Sequence, residues 1–191
     1  AQGTTPWATP SWTVALRHLG KDGAHLEELT VGFRVPGDVI EYAARLLPAI
    51  APGLTPPTAV RRARGELRID LVADSLEAAA DTVVAVIERP GSIGLIVPDA
   101  LVASARKALQ AREVSYSVLG DEDDVDAHVD VVPAGLAKGL EFDHVVLVEP
   151  AAIVAGEADE RTGLRRLYVC LTRAVTSLAV FHHDDLPAVL R

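Results

Sequence analysis

The chain has 191 residues, 49% of them apolar, and a formal net charge of −9. That is enough apolar sequence for one folded core and too much for a disordered chain, while no apolar run reaches the roughly 18 residues of a membrane span. So acidic a surface makes a poor stand-alone nucleic-acid binder, because phosphate binding draws on clustered Lys and Arg. A single cysteine, Cys170, excludes an internal disulfide and fits a reducing cytoplasm. The sequence holds no methionine, and its polar start AQGTTPWATPSW has no signal-peptide pattern, so it reads as part of a longer protein.

In chain order, residues 11–19 predict a short helix and residues 29–33 a short strand. Residues 36–47 predict a helix with Pro36 in its first turn, where a missing N–H costs nothing. Val39, Ile40, Ala43, Leu46 and Leu47 share one face of it. A Pro-rich loop follows at 48–57, then a small basic cluster from Arg61 to Arg64. A strand at 67–72 leads to a helix ending near Glu88, capped by Ser75 or Asp74. A buried strand at 93–97 leads to a helix over 100–112, with Asp99 as its cap. A short strand at 115–119 precedes the acidic run 121–126, read as a solvated loop. Strands at 129–132 and 144–148, a polar loop at 155–161, a helix at 164–174 and a strand at 177–181 complete the series. Strands alternating with helices in this way predict an α/β fold with a largely parallel sheet.

Two segments carry chemistry. Ala137-Lys138-Gly139-Leu140-Glu141-Phe142 opens onto the apolar run 145–148, and Leu167-Tyr168-Val169-Cys170-Leu171-Thr172-Arg173-Ala174 lies on a helical pattern. Together they resemble two late motifs of UvrD/Rep-type superfamily 1 helicases, found in the second, C-terminal RecA-like domain of those motors. The resemblance implies a RecA-like three-layer sandwich with a mainly parallel sheet, a P-loop NTPase superfamily fold without its own P-loop. Consistent with that, no G-x-x-x-x-G-K-[ST] run occurs, and no apolar strand ends in a paired Asp-Glu. Residues 1–12 would be the end of motif III and an interdomain segment. Residues 13–191 would form one C-terminal domain, with the span from Arg34 to Lys138 filled by the sheet rather than by an accessory insertion.

Cleaving a γ-phosphate calls for cations that neutralise charge developing on its oxygens, and arginine supplies them as a planar, permanently charged fork. The resemblance assigns that role to Arg173 and to Arg34. The latter lies in Leu29-Thr30-Val31-Gly32-Phe33-Arg34-Val35-Pro36, which is similar to the NYRS motif with Phe33 for Tyr and Gly32 for Asn. It assigns ribose contacts to Glu141 and the shaping of the cleft to Lys138 and Gly139, a turn that a β-carbon could crowd. Gln2 and Trp7 resemble motif III, whose Gln senses the γ-phosphate and whose Trp stacks on a DNA base. ATP with Mg²⁺ is the implied cofactor of the full-length protein. The Mg²⁺ ligands and most phosphate contacts would come from an N-terminal RecA-like domain, so the chain alone is expected to be inactive.

Relatives carry T-x-H facing the DNA strand where this chain has Pro133 and Gly135. That departure, with the missing insertion, resembles the HelD branch, whose members use a UvrD-like ATPase to displace and recycle RNA polymerase. RNA polymerase is then the implied partner, DNA contact is left open, and no membrane is involved. A DNA helicase or repair translocase, and an interaction module that has lost the motor, are the rival readings. Cys170 reads as a buried helix residue, and His182-His183-Asp184-Asp185 as a surface turn rather than a metal site.

Overall fold

The computed structural model describes residues 3–5, 9, 11–27, 31–59, 65–121 and 127–191. Its helices and strands run, in order, α1 (Trp12–His18), β1 (Val31–Gly32), α2 (Gly37–Ala44), α3 (Leu47–Ile50), β2 (Thr58–Ala59), β3 (Glu66–Leu71), α4 (Ser75–Val86), β4 (Ile93–Val97), α5 (Val102–Gln110), β5 (Ser117–Val118), β6 (Val129–Pro133), β7 (Phe142–Val148), α6 (Pro150–Ala155), α7 (Glu160–Leu171) and β8 (Ala174–His182). Six strands form one wholly parallel sheet in the order β3-β8-β7-β4-β6-β5. Strands covered on both faces need no polar side, and β4 and residues 145–148 of β7 accordingly read as unbroken apolar runs.

Alternation along β7 separates two core layers. Val145 and Leu147 pack with α2, α3, α6 and α7, whereas Val146 and Val148 pack with α4 and α5. Helices on both faces of a parallel sheet make this the expected three-layer α/β sandwich.

Several elements depart from expectation for local physical reasons. The 29–33 strand is represented by β1, which pairs with β2 in a separate two-stranded ribbon rather than in the main sheet. Residues 28–30, the basic cluster 61–64 and residues 122–126 lie outside the described residues. Pro48 does not begin a loop: it sits in the first turn of α3, where proline is tolerated, and Leu47 and Ile50 are buried. Asp74 rather than Ser75 caps α4, accepting from the amides of Leu76 and Glu77 at 3.0 Å each. Asp99 does not cap α5. It opens a 3₁₀ turn, and its carboxylate accepts instead from the Gly135 amide at 3.0 Å.

The polar loop expected at 155–161 is present but shorter, running over residues 156–159 between α6 and α7. Glu149, in the left-handed region at φ 48°, turns the chain into α6 with Pro150 at its start. Asp159 then caps α7 by accepting from the Thr162 amide at 2.9 Å. Gly163 disguised this start, since glycine is a weak helix former. It is needed there because a β-carbon would lie 2.2 Å from the Val154 carbonyl oxygen where α6 and α7 meet. At its other end α7 stops at Leu171, short of the expected 174, and β8 begins at Ala174. Arg173 therefore occupies the corner between them.

Gly94 ties the central sheet to that corner. A β-carbon on it would fall 2.4 Å from the Phe142 ring, which is buried across β4 at the start of β7. Gly94→Val should lower stability by about 1–3 kcal/mol through overpacking. In urea denaturation, combining it with Phe142→Ala should cost less than the two single losses added together, because both act on one contact.

Candidate functional site

At the amino edge of the sheet, Arg173 holds both neighbours of Glu141. Its guanidinium donates to the Leu140 carbonyl at 2.8 Å, and its own carbonyl accepts from the Phe142 amide at 3.1 Å. Further donation goes to the Val169 carbonyl at 2.9 Å and the Thr172 hydroxyl at 3.3 Å. Only 8% of Arg173 is exposed. Burial draws its pKa below the usual arginine value and the Arg34 charge draws it lower, while the Cys170 and Glu141 side chains oppose the shift. Three of its five N–H donors are used by these contacts, which leaves two beside Glu141.

Glu141 is ion-paired with Arg34, which arrives from a segment 107 residues away in sequence. Gly65, just ahead of β3, allows that approach. Its φ is +79°, and a β-carbon would sit 2.3 Å from Pro36, so the Arg34–Pro36 segment lies directly against it. The ion pair is solvent-accessible, with side-chain exposures of 63% for Arg34 and 39% for Glu141. Phe33, which precedes Arg34 in the chain, is 74% exposed. Its motif resemblance marked the position, but only the structure reveals the exposure.

Lys138 and Gly139 lie exposed on the loop leading to Glu141. Gly139 has nothing within 4 Å of a β-carbon, so crowding does not explain it. Its φ of +91° does, because side-chain-bearing residues rarely adopt it. Arg34, Glu141 and Arg173 thus converge, with Lys138 and Gly139 on the adjoining loop. Gln2 and Trp7 lie outside the described residues.

The opposite, carboxyl edge has another character. A cleft of about 600 Å³ opens there, lined in part by Asp99, Gly135, Glu149, Glu157, Arg166 and Asp184. Arg166 is held by Glu157 at 2.6 Å and donates to the Gly135 carbonyl at 3.0 Å. Glu149 is buried and accepts from the His183 amide at 2.8 Å. No sequence pattern pointed to it; its combination of burial and positive φ is visible only in the fold. His182 belongs to β8 and is buried, not part of a surface turn, and its ring bonds the Asp184 carbonyl at 2.8 Å. Among the described residues no three of His, Cys, Asp or Glu gather in a way that could hold a metal ion, and no helix is long and apolar enough to cross a membrane.

The fold has solved counterparts. The C-terminal domain of a possible DNA helicase from Lactobacillus plantarum WCFS1 matches with a TM-score of 0.61 and 21% identity, over 83% of this chain and 92% of that one. The likeness is one of fold. An arterivirus helicase, nonstructural protein 10, solved in complex with DNA, overlaps more loosely. Its TM-score is 0.43 at 14% identity, over 81% of this chain and 34% of that one. No protein-family model matches the chain, and no curated protein matches it.

Cys170 lies wholly inside α7, and burial pushes its thiol up to about 12. At neutral pH that leaves it far less thiolate than an ordinary cysteine. Alkylation by iodoacetamide should be undetectable over hours in the folded chain and complete within minutes in urea. Rapid reaction of the folded chain would show that the α7 core opens.

Proposed function

We propose that this chain is the C-terminal motor domain of a UvrD-like ATPase, contributing one side of an ATP site whose other side belongs to an N-terminal RecA-like domain. The observation that carries this is the convergence of Arg34, Glu141 and Arg173 from three separate segments at one solvent-facing corner. The residues present fit part of such a nucleotide. Two arginines offer positive charge and spare N–H donors to phosphate oxygens, Glu141 can accept from ribose hydroxyls, and Phe33 can stack on a base. They do not supply a phosphate loop or Mg²⁺ ligands, which fits a half-site. When bound, ATP with Mg²⁺ supplies the phosphoryl group that is transferred to water.

The chain's own contribution is electrostatic and positional. Arg34 is held by Glu141 only through an exposed ion pair, worth about 0–1 kcal/mol, so releasing it towards a phosphate costs little. Arg173 is fixed by packing and hydrogen bonds, so its remaining donors are oriented in advance. Because Arg173 also holds the Leu140 carbonyl, a shift of the AKGLEF loop and a shift of its guanidinium are mechanically linked.

Within this reading, RNA polymerase release of the HelD type is favoured over DNA unwinding. The cleft at Gly135, one of the two positions that face DNA in helicase relatives, presents Asp99, Glu149, Glu157 and Asp184 against a single arginine. Such a lining repels a phosphate backbone.

In the full-length protein, Arg34→Ala should cut ATP turnover by about a thousandfold or more, the scale of an arginine finger, with little change in stability. Arg173→Lys should lose comparable turnover while the chain still folds, since a lysine cannot reproduce the fork. Unchanged kcat in both variants would overturn the motor reading and favour an interaction module. Turnover stimulated by core RNA polymerase and not by single-stranded DNA would support the release reading; the reverse would favour a helicase. Calorimetry of the 191-residue chain alone should show ATP binding no tighter than about 1 mM. Sub-millimolar affinity that is lost in Arg34→Ala would contradict a half-site.

A further inference from the structure

Among the described residues, eight arginines have a carboxylate within ion-pair reach. Arg161 and Arg165, one turn apart on α7, have none and share an acceptor. Arg161 donates to the Ile50 carbonyl through Nε and Nη2 at 3.4 and 3.3 Å. Arg165 reaches the same oxygen through the same two atoms at 3.4 Å each, and the Gly3 carbonyl through Nη1 at 3.4 Å. All these contacts are longer than the 2.9–3.0 Å typical of N–H···O bonds. One carbonyl oxygen cannot satisfy two forks, nor can it neutralise two positive charges.

The carboxylate that Arg165 does feel belongs to Asp159, and it is already committed to capping α7 through the Thr162 amide and hydroxyl at 2.9 and 2.7 Å. Burial and the neighbouring Arg161 both disfavour the charge on Arg165. Two guanidiniums in a chain of net charge −9 are thus kept together with no carboxylate in ion-pair contact, one half-buried and the other exposed. This arrangement is costly unless an anion completes it. The pair stands near the beginning of α7, whereas Arg173 follows its end, so it is separate from the amino-edge corner.

We propose that Arg161 and Arg165 form a binding site for a phosphate group. A phosphate suits two adjacent forks because its tetrahedrally arranged oxygens accept in several directions at once, whereas the oxygens of a single carboxylate lie in one plane. The phosphate could belong to a single-stranded nucleic-acid backbone or to a free phosphorylated molecule, and the inference does not rest on the nucleotide reading of the other corner.

The test uses the 191-residue chain at low salt with three probes: fluorescent dT12, inorganic pyrophosphate and an oligoglutamate peptide. Binding of either phosphate probe should weaken at least fivefold in Arg161→Gln/Arg165→Gln and remain unchanged in Arg106→Gln, whose arginine is paired with Asp121. For dT12, one neutralised phosphate predicts a slope of about −0.7 for log affinity against log salt, and the double variant should flatten it. Binding of dT12 without pyrophosphate would identify a strand backbone as the source; the reverse would identify a free phosphate. If the double variant unfolds, Arg161→Gln alone, at an exposed side chain, should weaken binding about threefold. Absence of binding by both phosphate probes, equal binding by folded Arg161 and Arg165 variants, or binding of oligoglutamate alone would overturn the proposal.

Discussion

Arg173 is buried where α7 ends and β8 begins, and it grips the chain on both sides of Glu141 through its guanidinium and its backbone carbonyl. The rest of the amino edge depends on that double hold. It sets the course of the AKGLEF loop and keeps a positive charge beneath the exposed Arg34–Glu141 pair. Two glycines make room for it. Gly94 lets Phe142 lie flat across β4, and Gly65 lets the Arg34 segment press against the start of β3. A side chain at either position would move one wall of the corner without touching a charged group.

The two edges of the sheet differ in sign. Strands of an open α/β sheet commonly present their ligand crevice at the carboxyl ends. Here the charged groups lining that crevice are four carboxylates and one arginine set among apolar residues, while cations gather at the amino ends and on the face of α7. Local potential follows this placement rather than the net charge, because a few oriented charges at short range outweigh a diffuse acidic surface.

Much of the architecture was legible in the sequence, because it depends on local periodicity. The apolar runs of β4 and β7, the helical face of α2 and the α/β alternation all report burial through residue type alone. The failures occurred where local signals compete. Asp74 and Ser75 are both credible caps, and only the backbone decides between them. Asp99 looks like a cap, yet a non-local amide from Gly135 takes its carboxylate. Gly163 weakens the helical pattern of α7, although close packing against Val154 is what requires it.

The candidate site divides along the same line. Sequence alone determined which residue types stand at these positions, the absence of a phosphate loop motif, and the order in which the segments carrying Arg34, Glu141 and Arg173 occur. Tertiary structure decided that these three meet, that Arg173 is buried and partly spent on the Leu140 carbonyl, and that Phe33 is exposed. It also decided which arginines have no carboxylate in ion-pair contact. Pairing between residues far apart in the chain depends on how strands are ordered and how closely backbones approach, and neither quantity is written in the local pattern of side chains.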